Sequence, residues 1–241
     1  LLFFSAGSVL HATGTRDMSR LGGLWRVMPW TAALFTVGAV AVSGLPPLNG
    51  FVGEWAIYQG LLRAVAQKEA AAGVLPAVIV LAGSGALALT AFAKAAGIVF
   101  LGAPRTKPAT RAVECGWLMR LPMLLIAAVM LGIGLMPGLA LGPVMNAADV
   151  WAPQWQGEAQ LLTPRALGGA HTILACALLA GAFLIVRRVR ANGTRRGPTW
   201  DCGYVAPTAR MQYTSGSFAG IARGWFAWLL RPEALVRRVR G

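Results

Sequence analysis

The stretch Ser43-Gly44-Leu45-Pro46-Pro47-Leu48-Asn49-Gly50-Phe51-Val52-Gly53-Glu54-Trp55 carries the clearest chemical signal in the chain. Apolar sequence runs on both sides, yet Pro46 and Pro47 remove two backbone donors while Gly44 and Gly50 loosen the same stretch. The expected form is a broken helix. Inside a bilayer, freed backbone groups are tolerated only where protein or a wet cavity covers them. Glu54 follows the break by about two turns. A carboxylate at that depth is costly, and its default reading is a proton-transfer residue on an ion path. The alternative is a structural ion pair.

Lys94, in Ala91-Phe92-Ala93-Lys94-Ala95-Ala96-Gly97, is a second intramembrane charge among small residues. A desolvated lysine loses its proton more easily, which a relay needs. Lys94 also lies close enough to the end of its segment for its amine to snorkel to the surface, so both readings stand. His11 ends the first apolar run, where a proton-gating role and a solvated interfacial position both fit. His171 reads as interfacial, and Arg16 and Asp17 as local caps or pairs. Cys115, Cys176 and Cys202 have no metal-binding spacing. Cys176 reads as a small packed hydrophobe, and Cys202 as part of a docking segment. No phosphate loop, HExxH, GxSxG or dinucleotide fingerprint occurs. No catalytic residue, metal site or cofactor is therefore expected on this chain.

The elements that must hold these residues are membrane helices. The chain is 56% hydrophobic and 12% charged, with mean hydropathy +0.61. Soluble domains carry about 25% charged residues. A net charge of +14 invites a nucleic-acid reading, but the basic residues lie between apolar runs rather than on one basic face. No charge occurs between Arg26 and Glu54, Glu69 and Lys94, Arg120 and Asp149, or Arg165 and Arg187. The expected fold is therefore all-α: a polytopic transmembrane bundle over 1–190. Its parts are the end of one helix at 1–10, a broken helix at about 28–62, and spans at about 73–101, 119–141 and 168–186. Residues 191–241 form a basic tail with an amphipathic helix at about 217–240, its arginines suited to anionic headgroups or a partner. Basic loops alternate with less basic ones, which places the tail after Arg187 in the cytoplasm and 142–167, with Trp151 and Trp155, along the outer interface. The apolar start without a basic leader reads as the end of a helix, so the chain is expected to be a C-terminal fragment.

The order Gly7-Ser8-Val9-Leu10-His11-Ala12, Arg16-Asp17-Met18, Leu21-Gly22-Gly23-Leu24, then Ser43-Gly44-Leu45-Pro46-Pro47 through Phe51-Val52-Gly53-Glu54 resembles one superfamily. This is the antiporter-like proton-conducting subunits of complex I, Mrp-type antiporters and membrane-bound [NiFe] hydrogenases. Trp200-Asp201-Cys202-Gly203-Tyr204 with Arg210-Met211-Gln212-Tyr213 is similar to the hydrogenase-4 and formate hydrogenlyase branch. The resemblance implies a partial antiporter-like fold with a discontinuous helix, and matches Glu54 to the ionisable residue of the family's second broken helix. The family's glutamate–lysine pair and central lysine or histidine are not found in this sequence. The implied function is a proton-translocating, non-catalytic subunit of a redox complex in a bacterial-type inner membrane. Its partners are other membrane and peripheral subunits, the lipid bilayer and protons, with no nucleic acid. The alternative is a stand-alone Mrp-type cation/proton antiporter subunit.

Overall fold

The structure is a computed structural model and describes residues 1–66, 71–151, 164–193, 208, 211–217 and 219–230. Among these, all regular structure is helical. Helix α1 spans Leu2–Thr13, α2 Pro29–Val42 and α3 Asn49–Ala66. Then follow α4 (Ala71–Phe100), the short α5 (Lys107–Arg111), α6 (Trp117–Leu135), α7 (Gly138–Trp151) and α8 (Pro164–Asn192). Two short tail helices, α9 (Ala219–Trp225) and α10 (Ala227–Leu230), complete the order.

Three of these helices are long and apolar enough to cross a membrane: Gly73–Phe100, Trp117–Leu135 and Ala166–Asn192. Their outer faces present Ile79, Val80, Leu125, Val129, Leu179 and Phe183. In water such surface would drive association, whereas in hydrocarbon it meets a solvent like itself. The molecule is an all-α membrane helix bundle.

Lipid supplies no hydrophobic drive between helices, so contact quality has to hold the bundle together. The inner face of α2 is accordingly small, with Ala32, Ala39 and Ala41 buried, and Gly38 lies against Leu2 of α1. Leu24 and Met28 are fully buried below α2, and Phe35 meets Phe100 of α4 with ring centres 5.2 Å apart.

One end of the bundle collects the basic connections. Residues 14–28 and 101–116 meet there, with Gly23 N–H donating to Leu101 O at 2.8 Å and Thr106 Oγ1 to Arg20 O at 2.8 Å. Asp17 caps the 3-10 turn Met18–Arg20, accepting from Ser19 N–H at 2.9 Å, as its reading as a local cap anticipates.

Three expectations need correction. The span expected at 119–141 stops at Leu135, because a residue preceding proline is pushed out of the helical region. Met136, before Pro137, adopts φ −127° and ψ 68°, and α7 starts as a separate helix. The continuous tail helix expected at about 217–240 is instead interrupted at Phe226 between α9 and α10. Gly220 and Gly224 weaken it, each costing about 1 kcal/mol relative to alanine; residues 231–241 lie outside the described residues. Cys176, expected to pack, is exposed on α8. Trp155 and Cys202 also lie outside the described residues, while Trp151 is exposed at the end of α7.

Candidate functional site

The helix break has a defined local cause. Gly44 adopts φ +64°, its N–H donates to Ala41 O at 3.1 Å, and Leu45 N–H reaches back to Val40 O at 3.2 Å. This pair of bonds closes a helix in the Schellman arrangement, with a left-handed residue that glycine adopts without steric penalty. Pro46 follows, where a helix can no longer continue. Residues 43–48 are non-helical and α3 begins at Asn49. Gly50, expected within the break, is already helical. Its lack of a side chain serves another purpose: a Cβ there would overlap the Ala41 carbonyl, so the two half-helices approach closely.

Glu54 turns back toward this break. Its carboxylate occupies the space a Cβ on Gly44 would need, and its oxygens lie 3.7 and 3.9 Å from where a Cβ on Gly85 of α4 would stand. The carboxylate is therefore enclosed by the break, its own helix and the middle of α4, and Glu54 is half-buried. It has no ion-pair or hydrogen-bond partner among the described residues. The C-terminal end of α2 and the N-terminal end of α3 meet here with opposed dipoles, so the proton affinity of Glu54 depends on its position between them.

Lys94 is not brought to Glu54. It stands about 13 Å farther along α4 than Gly85, toward the basic end. Its amine donates to the backbone carbonyl of Ser215, in the tail. The same tail segment is fastened by Gln212, whose side chain pairs with Ala103 N–H at 3.0 Å and Ala103 O at 3.3 Å. Arg105 donates to Tyr213 O at 2.6 Å, and the Ser19 and Ser215 hydroxyls are 2.6 Å apart. A cavity of about 520 Å3 lies between α4 and this segment, lined by Lys94, Gly97, Arg105 and Gln212 among others. His11 is exposed in the last turn of α1 and does not join the Glu54 cluster.

Two groups at the site escaped sequence reasoning. His171, read as interfacial, is instead 3% exposed and packed inside the bundle. Its Nδ1 lies 2.6 Å from Gly134 O near the end of α6, and its ring meets Phe51 of α3 edge-on, centroids 5.2 Å apart. A Cβ on Gly134 would overlap the Pro47 carbonyl, so α6 rests directly on the break. The signal in the sequence is Gly168-Gly169-Ala170 just before the histidine, a small-residue run suited to close helix contact. The second is Glu114, in the connection before α6. Its carboxylate accepts from Trp30 N–H at 2.8 Å and Thr31 Oγ1 at 2.6 Å, capping α2. Burial pushes the Glu114 pKa up, but the hydrogen bonds from Thr31, Trp30 and Cys115 outweigh it and leave it below the ordinary carboxylate value.

A broken membrane helix with an enclosed, unpaired carboxylate defines a class of ion-handling bundles, and comparison with known proteins agrees. Residues 1–93 match the NADH:quinone oxidoreductase/Mrp antiporter transmembrane family, to which this chain belongs. The chain is 37% identical over 221 residues to hydrogenase-4 component B of Escherichia coli, covering 85% of this chain and 32% of that protein. Against formate hydrogenlyase subunit 3 of the same organism it is 36% identical over 234 residues, covering 96% and 38%. Similarity to one Na(+)/H(+) antiporter subunit of Alkalihalophilus pseudofirmus is 46% over 63 residues, 26% of this chain and 8% of that protein. The chain thus spans about a third of the length of the first two relatives.

Proposed function

We propose that the chain is part of a proton-translocating membrane subunit of a hydrogenase-4- or formate hydrogenlyase-like complex, with Glu54 as a proton-exchanging station. The single observation that carries this reading is the Glu54 carboxylate folded over Gly44 in the helix break, without a cationic partner among the described residues. A carboxyl group in a low-dielectric setting is tolerated when neutral, and its charged form depends on neighbouring dipoles and water. Movement of the break relative to α4 therefore changes how readily Glu54 holds its proton. The near-full-length similarity to hydrogenase-type subunits supports the redox-complex branch.

In this reading the partners are other membrane and peripheral subunits of the complex, the lipid bilayer and protons. The basic end, with Arg16, Arg20, Arg105 and Arg111, faces the cytoplasm across the inner membrane. Lys94 serves the cytoplasmic side of the path, and His11 lies at its margin. Pro46, Pro47, Gly44 and Gly50 hold the two half-helices in the geometry that Glu54 needs.

Glu54→Gln in the full-length protein, assembled in its own complex, keeps side-chain shape and removes the titratable group. Proton translocation in membrane vesicles is expected to fall with assembly intact. Wild-type pumping by this variant would leave Glu54 without a transport role. The local antiporter similarity keeps a second reading in view: a sodium-dependent exchange that persists without redox turnover would favour a stand-alone antiporter.

A further inference from the structure

His171 presents a buried polar atom that nothing so far uses. A backbone carbonyl only accepts, so the 2.6 Å contact with Gly134 O requires hydrogen on Nδ1. In the neutral ring Nε2 is then a bare acceptor, and it is buried without a hydrogen-bond partner. A second buried acceptor without a partner, Asn49 Oδ1, stands at the start of α3. Both surround the same Pro47–Phe51 segment, since Gly134 abuts Pro47 and Leu48 while Phe51 abuts the imidazole.

Two acceptors cannot satisfy each other. Leaving either one dry costs roughly 1–3 kcal/mol. A water, with two hydrogens to donate, satisfies acceptors of both kinds in a polar site. A proton on Nε2 also relieves the histidine, turning the acceptor into a donor. We propose that His171 is a second proton-exchanging side chain at the broken helix, its Nε2 taking up and returning protons through water held beside Asn49. This rests on the reading of Glu54 as a proton station.

The step is a simple transfer. A proton delivered through water forms an Nε2–H bond and gives an imidazolium; its return to water restores the neutral ring with Nδ1–H still on Gly134 O. No electron moves. Lys94 lies toward the basic end from Glu54, while Gly134 and His171 lie about 25 Å along α6 from its basic-end start at Trp117. His171 therefore belongs to the opposite side of the break from Lys94. The titratable or charged groups on the elements packed around it are Glu54, Tyr58 and Arg63 on α3, Arg120 on α6 and Asp149 on α7. Its own helix carries Arg165 in the first turn and Arg187, Arg188 and Arg190 near the far end. No hydrogen bond joins any of these to the imidazole among the described residues.

The test uses the full-length protein in its assembled complex, in membrane vesicles, with proton flux measured against pH under an imposed pH gradient. His171→Asn puts an amide N–H at the place of Nδ1, keeping the tie to Gly134 while deleting Nε2. Flux is expected to fall about tenfold, with loss of one limb of its pH profile, at wild-type assembly. Asn49→Leu is expected to keep that limb but move its midpoint. Glu54→Gln serves as the reference: if it lowers flux while His171→Asn leaves the pH profile unchanged, the histidine is only a helix tie and the proposal is overturned. If Glu54→Gln is itself without effect, the underlying reading of Glu54 is what fails. Should His171→Asn not assemble, an unchanged pH profile in Asn49→Leu overturns the proposal on its own.

Discussion

The basic end of the bundle and the helix break solve the same problem in opposite ways. At the basic end, polar groups are tied to one another: Glu114 to the first turn of α2, Gln212 to Ala103, Arg105 to Tyr213 O, and Lys94 to Ser215 O. At the break, Glu54 has no hydrogen-bond partner among the described residues, and His171 Nε2 and Asn49 Oδ1 are buried without one. Steric fit replaces hydrogen bonding there, with Gly44, Gly50 and Gly134 letting a carboxylate and two carbonyls approach where a Cβ would stand. A latched region resists rearrangement. A region of tight contacts and unmet acceptors changes state when a proton or a water arrives, because in a low dielectric each such group is expensive to leave unsatisfied.

Four substitutions would break or sharpen that contrast. Gly134→Leu is expected to have the largest effect: a side chain at that point displaces the Pro47 carbonyl and lifts α6 from the break. Overpacking of this kind costs roughly 1–3 kcal/mol. Lower thermal stability of the assembled protein together with lost proton flux is the expected result. A fully active Gly134→Leu protein would show that the contact with the break is dispensable.

Gly44→Ala comes next. A left-handed residue with a Cβ costs roughly 1–2 kcal/mol, and the methyl also evicts the Glu54 carboxylate. Flux is expected to drop toward that of Glu54→Gln although no titratable group is removed. Stability loss without any flux defect would separate the turn from the carboxylate.

Lys94→Met sharpens the other side of the comparison. It unfastens Lys94 from Ser215 O, so a cysteine at Ser217 is expected to react faster with a soluble thiol reagent. Flux is expected to fall less than in Glu54→Gln. Equal flux loss in both variants, with unchanged labelling, would make Lys94 a transfer group rather than a tail fastener. Cys115 is unsuitable for such labelling, since it is 5% exposed and would be spared on either side of the membrane.

The smallest effect is expected at Glu114. Its pKa lies below the ordinary value in the folded protein, so its stabilisation is present above about pH 4.5 and is lost as pH falls through the lowered folded value. Thermal stability measured from pH 6 down to pH 3 is expected to decline through this carboxylate in the wild type, and less steeply in Glu114→Gln. Parallel curves would deny it the capping role.

Much of the site was legible in the amino-acid sequence, for local reasons. Charge-free windows marked the membrane helices, because burying a charge in hydrocarbon is costly wherever the segment sits. Gly44 followed by Pro46 and Pro47 marked the end of α2, because left-handed geometry and a missing N–H act within one turn of chain. The depth of Glu54 followed from the same count. The early end of α6 was also local, written in Met136-Pro137, but the apolar run through residue 141 hid it.

What only the tertiary structure decided was which side chains face one another. A soluble helix announces its packed face by alternating apolar and polar residues, whereas a membrane helix is apolar all round and carries no such stripe. His171 therefore read as interfacial although Gly134 and Phe51 enclose it. Lys94 could not be assigned to the tail carbonyl that holds it, more than a hundred residues away in the chain. Sequence by itself determined where the helices run, where one of them breaks and which carboxylate sits beside the break, because backbone geometry and the cost of intramembrane charge are local. The neighbours of that carboxylate, and the histidine across the break from Lys94, came only from packing, because contacts between uniformly apolar helices leave no periodic trace in either one.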